Sequence, residues 1–319
     1  MDEIDLRGAP DWFLRAARDV GESATIEVEG ARIHHLAWGS RAAPTLVLVH
    51  GGAAHARWWQ ALAPLLAVHH RVIAIDLSGH GDSDHRDEYH PQQWVREVLA
   101  VAAHAGGVGR PVVVGHSMGG FVTIVAAAHH GSSLDGVIVL DVPIRRPDPE
   151  SDDTRAGRML RAPKTYPDRA TAREHFHLVP PQPCDNTWLV DHVAHHSLRE
   201  VDGGWTWKFD PAVFVARRGP RIPSDFAADL AHAACRVAIC NGARSTIVDQ
   251  HVRDYMAELL EGSPAGAAGV PFVEVPEAHH HLMLDQPLAT VTAIRAVLAT
   301  WRPVGAPPLA VLPDGEWPP

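Results

Sequence analysis

Short apolar runs recur along this chain, and segments with helical patterns separate them. Six runs of three to five residues are mostly apolar, at 46–49, 71–75, 112–114, 136–140, 236–240 and 271–275. Continuous rather than alternating apolarity is typical of strands that are buried on both faces, as in a parallel sheet. Residues 24–38, with a turn at Glu29-Gly30, predict a β-hairpin ahead of these runs.

Helices are predicted between and after the strands, at 58–66, 92–105, 249–260 and 287–301. Such alternation of strands and helices favours a doubly wound α/β fold. With the hairpin included, the chain predicts a mostly parallel sheet of eight strands.

The stretch 143–231 interrupts this alternation. It is rich in proline, arginine and aspartate and carries scattered aromatic residues, including Trp205 and Trp207. We expect a helical cap over the carboxyl edge of the sheet, because the aromatic content disfavours a disordered insert. The expected organisation is an N-terminal extension at 1–22, a core in two parts at 23–142 and 232–302, the cap at 143–231, and a proline-rich tail at 303–319.

Composition narrows the class of protein. Of 319 residues, 46% are hydrophobic and 21% are charged, which is ordinary for a globular protein. A formal charge of −10 argues against nucleic acid or an anionic membrane surface as a partner. No apolar run approaches the length of a membrane span, and the acidic N-terminus does not resemble a secretory signal. Three cysteines without a CxxC pattern fit a reduced, cytoplasmic setting.

The chain has 23 histidines, which raises the question of a metal site. Many occur as neighbouring pairs, and adjacent side chains on a strand point to opposite faces. His175 and His177, after Glu174, form the one short pattern with ligand-like spacing. We expect surface and loop histidines for the most part, with no metal and no organic cofactor.

Ser117 lies in a Gly-x-Ser-x-Gly pattern at 115–119, directly after an apolar run and before a helix-compatible segment. A serine at a sharp strand-to-helix turn needs small flanking residues, because side chains there would block the turn. The start of the following helix also offers backbone N–H groups to a developing oxyanion. The pattern therefore predicts a nucleophilic serine.

Three further motifs share the order and spacing of a known family. His50-Gly51-Gly52 follows a strand and precedes two tryptophans, and residues 76–83 read D-x-x-G-x-G-x-S. Residues 275–287 carry three consecutive histidines ahead of a Leu-x-x-Pro segment. Together with the serine turn, these motifs resemble the α/β-hydrolase family over nearly the whole chain. Ser78 stands where arginine is frequent in the family.

The resemblance implies roles for several residues. The family usually places the catalytic histidine seven residues before the proline of the Leu-x-x-Pro segment, and counting back from Pro287 gives His280, with His281 as the alternative. Ser117 would be the nucleophile. The backbone N–H groups of Met118 and Gly52 would form the oxyanion hole.

The triad acid is less directly indicated. Family members most often carry it three residues beyond a glycine after the next strand, but here Gly242 leads to Ser245, which has no charge. Asp141 ends the strand after the serine helix, at the same sheet edge as Ser117, and some family members place their acid there. Asp249 is the alternative, although capping a helix explains it equally well.

These residues predict a serine hydrolase that cleaves an ester or a similarly activated carbonyl through an acyl-enzyme. Serine in place of aspartate disfavours the dehalogenase and epoxide-hydrolase branches of the family. Carbon–carbon bond hydrolysis and cofactor-free perhydrolysis stay open as alternatives, as does a non-enzymatic ligand sensor. We expect a small apolar or ester substrate, with Trp205 and Trp207 as candidate pocket residues or, alternatively, cap-packing residues. The sequence leaves the oligomeric state open.

Overall fold

The computed structural model describes residues 4, 6–147, 164–214 and 225–301. Ten strands lie in these ranges: β1 Glu22–Val28, β2 Ala31–Trp38, β3 Pro44–Val49, β4 Arg71–Ile75, β5 Val108–His116, β6 Gly136–Leu140, β7 Leu198–Val201, β8 Gly204–Trp207, β9 Arg236–Gly242 and β10 Phe272–Val275. Eight of them form one sheet in the order β1-β2-β4-β3-β5-β6-β9-β10, while β7 and β8 form a separate hairpin. The pairs β1–β2 and β2–β4 are antiparallel, and every other pair of the large sheet is parallel. The predicted doubly wound, mostly parallel sheet is confirmed.

The helices of the described ranges are α1 Asp11–Arg18, α2 Ala63–Ala67, α3 Pro91–Ala105, α4 Met118–His130, α5 Arg169–Glu174, α6 Thr187–His196, α7 Phe226–Ala231, α8 Gln250–Glu261, α9 Leu282–Asp285 and α10 Pro287–Thr300. The continuous helix predicted at 58–66 is wrong. A short 3-10 turn, Ala56–Trp59, comes first, and α2 starts anew with Pro64 in its first turn. Proline has no N–H to donate to a preceding turn, so the helix begins there.

The sheet is buried on both faces, as the continuous apolar runs predict. In β3, Val47 and Val49 pack into the apolar core on one face, and Leu46 and Leu48 pack into the core on the other. All four side chains are fully buried. Burial of each such side chain stabilises the fold by about 1.5–3 kcal/mol, so the strand interior is a main source of stability.

The segment after β6 contains α5, α6, the β7–β8 hairpin and α7 in its described part. It includes the hairpin in addition to the helices that the composition predicts. The N-terminal extension contains α1, whose fully buried Phe13 ring lies 4.3 Å from the ring of Trp188 in α6. The proline-rich tail predicted at 303–319 lies outside the described residues. Within the described ranges, none of the helices has the length and apolarity needed to span a membrane.

A buried histidine joins the segment after β6 to the core. His55 Nε2 lies 2.9 Å from Ser197 Oγ, and Ser197 Oγ lies 2.7 Å from the Val193 carbonyl. Because the hydroxyl donates its proton to that carbonyl, His55 Nε2–H is the donor to Ser197. Burial lowers the pKa of His55 to about 3 and that of nearby His192 to about 4. Both rings are therefore neutral in the folded protein at neutral pH.

This burial predicts a loss of stability in mild acid. The ordinary pKa of histidine is 6.5. Below this pH, His55 and His192 become protonated in the unfolded chain but stay neutral in the folded protein. Each pH unit then lowers the free energy of unfolding by up to about 1.4 kcal/mol per histidine. We expect a Tm several degrees lower at pH ~5.5 than at pH ~7.5, measured by differential scanning fluorimetry.

His55→Gln retains a donor to Ser197 but cannot be protonated, so its Tm should fall less over the same pH interval. His251→Gln, at an exposed position, is the matched control and should follow the wild-type protein. Identical pH dependence of Tm in all three proteins would contradict the assignment to His55.

Candidate active site

Ser117 occupies a strained turn between β5 and α4. Its backbone angles are φ +53° and ψ −118°, a conformation that costs on the order of 1–3 kcal/mol for a residue with a side chain. The flanking glycines make the turn sterically feasible. A Cβ on Gly115 would lie 2.1 Å from Thr123 Oγ1, and a Cβ on Gly119 would lie 2.4 Å from the His50 carbonyl oxygen. The turn leaves the Ser117 side chain partly exposed at the carboxyl edge of the sheet.

His280 reaches Ser117 from the loop between β10 and α9. Its Nε2 lies 3.1 Å from Ser117 Oγ, and the residue is 2% exposed. The preceding residue fixes this loop, because both the backbone N–H and Nδ1 of His279 contact Asp285 Oδ2, at 2.6 and 2.7 Å. Of the two histidines that the sequence leaves open, His280 is the one in contact with Ser117.

Asp141 follows β6 and faces the other nitrogen of the same ring. Its Oδ2 lies 2.7 Å from His280 Nδ1, and its side chain is fully buried. The carboxylate accepts, so Nδ1 carries the proton and Nε2 presents its lone pair to Ser117. The structure thus brings Ser117, His280 and Asp141 into one hydrogen-bonded chain.

Ser245 and Gly242 hold the Asp141 carboxylate. The Gly242 N–H donates to Oδ1 at 3.0 Å, and the Ser245 hydroxyl donates to Oδ2 at 2.7 Å. Ser245 Oγ also accepts from the N–H groups of Ile247 and Val248. Because its lone pairs are engaged in this way, the hydroxyl proton points at Asp141. Ser245 occupies the family's usual acid position, but no feature of the sequence indicates this contact with Asp141.

Asp249, the alternative acid, lies elsewhere. It is exposed and caps the N-terminus of α8, where its side chain accepts from the Val252 N–H at 2.9 Å. That hydrogen bond is the main reason why its pKa is lowered. Its ion-pair partner is Arg145, at 3.9 Å. The structure therefore gives Asp249 the helix-capping role.

Two backbone N–H groups lie beside Ser117. Met118 is the first residue of α4, and Gly52 lies in the loop after β3. Neither N–H donates a hydrogen bond to another residue in the described part of the chain. A Cβ on Gly52 would lie 3.9 Å from Met118 Cβ and 3.0 Å from Phe214 Cε1, so a side chain there would crowd the site. No feature of the sequence indicates that Phe214 covers Gly52.

A row of aromatic rings leads from the segment after β6 towards His281. The Trp207 ring lies 5.9 Å from Phe176, Phe176 lies 6.4 Å from Trp58, and Trp58 lies 5.4 Å from His281. Trp205 does not join this row. Its ring packs against the Arg169 guanidinium at 5.0 Å. The two tryptophans of β8 therefore have different surroundings.

Among the described residues, two groups have ligand atoms close enough to hold a metal ion: His116, His280 and His281, and His34, Asp76 and Asp82. Asp76 and His34 already share a hydrogen bond of 2.7 Å. The pattern at His175 and His177 is not among these groups, and the Nδ1 atom of each ring contacts a backbone carbonyl instead.

A doubly wound sheet with a serine, a histidine and a carboxylate at its carboxyl edge defines the class of α/β hydrolases. A sequence profile of the alpha/beta hydrolase family matches residues 46–294, and the chain belongs to this family of enzymes.

Individual relatives extend this likeness over most of the chain. The chain is 27% identical to esterase Rv0045c of Mycobacterium tuberculosis over 316 residues, and the alignment covers 94% of this chain and 99% of that protein. A solved structure of that esterase, described with its inhibition by transition metals, superposes with a TM-score of 0.66 at 20% identity, covering 91% of this chain and 99% of that one. E-2-(acetamidomethylene)succinate hydrolase superposes with a TM-score of 0.72 at 22% identity, covering 87% and 99%. At these identities the two structures show a shared fold.

The contacts of Asp141 and Asp249 predict opposite effects of their amide variants. Asp141→Asn should lower kcat for ester hydrolysis by about 10⁴, because an amide cannot hold the His280 tautomer. Asp249→Asn should leave kcat within about twofold, since asparagine caps helices as well as aspartate does. Steady-state kinetics on p-nitrophenyl acetate measures both, and the reverse result would identify Asp249 as the acid.

Ser245 offers a sharper form of the same test. In the variant Asp141→Gly, the glycine adopts the positive φ of this position without strain. It also leaves space for a carboxylate from residue 245. We expect the double variant Asp141→Gly, Ser245→Asp to recover part of the kcat that Asp141→Gly alone loses. A double variant no faster than the single variant would show that residue 245 cannot reach His280.

Proposed function

We propose that this protein is a serine esterase that cleaves a carboxylic ester through an acyl-enzyme intermediate. The observation that carries the proposal is the continuous contact from Asp141 through His280 to Ser117, with 2.7 and 3.1 Å between the paired atoms. A serine hydroxyl is a weak nucleophile at neutral pH and needs an oriented base of this kind. The likeness to a mycobacterial esterase over nearly the whole chain supports the same reaction class.

In the proposed reaction, Ser117 Oγ attacks the ester carbonyl carbon as its proton moves to His280 Nε2. The Asp141 carboxylate stabilises the imidazolium through Nδ1–H. The Met118 and Gly52 N–H groups donate to the oxyanion of the tetrahedral intermediate. Collapse of the intermediate breaks the carbon–oxygen bond of the ester, and His280 protonates the departing alcohol. Water, activated by His280, then attacks the acyl-enzyme, releases the acid and returns the proton to Ser117.

The apolar surroundings support a substrate with an apolar acyl or alcohol group. Phe214 lies over Gly52, and the aromatic row from Trp207 ends at His281, next to the proposed base. Carbon–carbon bond hydrolysis and perhydrolysis use the same triad, and a panel of p-nitrophenyl esters and diketones separates them from ester cleavage. A purely ligand-sensing role gives no reason for the strained backbone at Ser117, which costs stability.

Ser117→Ala should abolish ester turnover, with a loss on the order of 10⁶ in kcat, because the nucleophile is removed. Wild-type protein should also form a covalent adduct with a fluorophosphonate probe, and the variant should not. Peptide mass spectrometry locates the adduct.

A comparison of the Tm of both proteins checks that the variant folds. The two Tm values should agree closely, since alanine retains the backbone of the turn. A Ser117→Ala variant with most of the wild-type esterase activity, or an adduct on another residue, would refute the serine mechanism.

Trp207→Ala should change KM or acyl-chain preference by about tenfold, because it interrupts the aromatic row next to the site. Trp205→Ala is the matched control on the same strand, and its selectivity should stay close to that of the wild type. Kinetics across p-nitrophenyl esters of increasing chain length compare them. If both variants merely melt at lower temperature with unchanged selectivity, the tryptophans serve packing alone.

A further inference from the structure

Three imidazoles meet at the triad, although the proposed mechanism uses one of them. The rings of His116 and His281 each lie 4.7 Å from the ring of His280 and 5.5 Å from one another. All three residues are at most 4% exposed. One potential ligand atom from each lies within 4.8 Å of those of the other two. Such a cluster needs a reason, because buried polar nitrogens are costly unless they have partners.

His280 is oriented as a metal-binding histidine would be. Its Nδ1–H donates to the Asp141 carboxylate at 2.7 Å, which leaves the Nε2 lone pair facing Ser117. Histidines that bind metals commonly donate their other ring N–H to a carboxylate or a backbone carbonyl. The contact that prepares His280 as a base therefore also prepares it as a ligand.

His116 meets the same requirement through a backbone carbonyl. Its Nε2 lies 2.9 Å from the His280 carbonyl oxygen, which can only accept, so Nε2 carries the proton. Nδ1 then bears a lone pair, and it has no hydrogen-bond partner in the described part of the chain.

His281 adds a third ring that hydrogen bonding does not explain. Neither ring nitrogen has a well-aligned hydrogen-bond partner in the described part of the chain, although the Val179 and Pro180 carbonyls lie nearby. Packing against Trp58 could be served by an apolar side chain. The imidazole of His281 therefore adds a further ring nitrogen to the cluster.

We propose that His116, His280 and His281 form an inhibitory binding site for a divalent transition metal ion such as Zn²⁺. Imidazole nitrogens suit zinc, copper and nickel. Bonds of about 2.1 Å at tetrahedral angles would separate ligand atoms by roughly 3.4 Å, so the three rings must draw together on binding. The Ser117 hydroxyl, 3.1 Å from His280 Nε2, lies where a fourth ligand could bind.

A metal at this site would inhibit the enzyme because it would occupy a lone pair that the proposed reaction needs. A metal bound to His280 Nε2 takes the lone pair that would accept the Ser117 proton, so Ser117 loses its base. The inhibition rests on the proposed function, whereas metal binding by the three rings does not. Removal of the metal by a chelator should restore full activity.

Metal binding is tested first without reference to activity. Co²⁺, as a spectroscopic replacement for Zn²⁺, should give the visible absorption bands of a tetrahedral site in the wild-type protein and in Ser117→Ala, but not in His281→Phe. His129→Gln, at an exposed position on α4, is the control for the many other histidines and should retain the bands. Anomalous scattering at the zinc edge from crystals of the wild-type protein should show a peak between the three rings. Absence of that peak overturns the proposal, whether or not the His281 variant folds.

Inhibition is tested with Zn²⁺ on ester hydrolysis and on fluorophosphonate labelling of Ser117, each normalised to the metal-free rate of the same variant. His281→Phe should raise the half-inhibitory Zn²⁺ concentration by about tenfold or more. Asp82→Asn tests the second group of ligand atoms, and its half-inhibitory concentration should equal that of the wild type. Relief of inhibition by Asp82→Asn instead of His281→Phe overturns the proposal. If no ester is hydrolysed, the cobalt spectra and the anomalous peak still decide the metal site, and only the proposed function fails.

Discussion

Two neighbouring strands end in residues that the backbone holds in an unfavourable conformation. Ser117, after β5, has φ +53°, and Asp141, after β6, has φ +52°. Each is held by the next strand of the sheet, because the Ser117 N–H donates to the Leu140 carbonyl at 3.0 Å and the Asp141 N–H donates to the Cys240 carbonyl at 2.8 Å. The parallel register thus extends one residue beyond each strand and enforces the strain. The stability of the buried sheet supports the geometry of the site.

Much of this arrangement is readable from the sequence. The apolar runs predict strands buried on both faces, and carboxyl ends of parallel strands meet at one edge. Ser117, Asp141 and the histidine loop follow such strands, so their proximity follows from topology. The boundaries of α3 and α10 agree with their patterns to within one residue. The continuous helix predicted at 58–66 is wrong, because hydrophobic periodicity carries no information about the missing N–H of Pro64.

What the sequence could not predict depends on contacts between distant segments. Ser245 lies 104 positions from Asp141, and Phe214 reaches Gly52 from the segment after β6. The sequence shows a serine where the family usually has a carboxylate. The direction of the Ser245 hydroxyl, however, depends on the turn in which the Ile247 and Val248 N–H groups donate to its oxygen. Likewise, His116 and His281 lie 165 residues apart in the sequence, and only the fold brings their rings together.

The N-terminal helix α1 has an anchoring position that its place in the sequence does not suggest. Phe13 packs against Trp188 and His192 of α6, while the Ala17 carbonyl accepts from Gln60 of the core at 3.0 Å. One short helix therefore touches both parts of the molecule that enclose the site. Separating the segment after β6 from the core would therefore break the contacts of α1 with one part or the other. The contacts of α1 thus tie the position of α6 to that of the core.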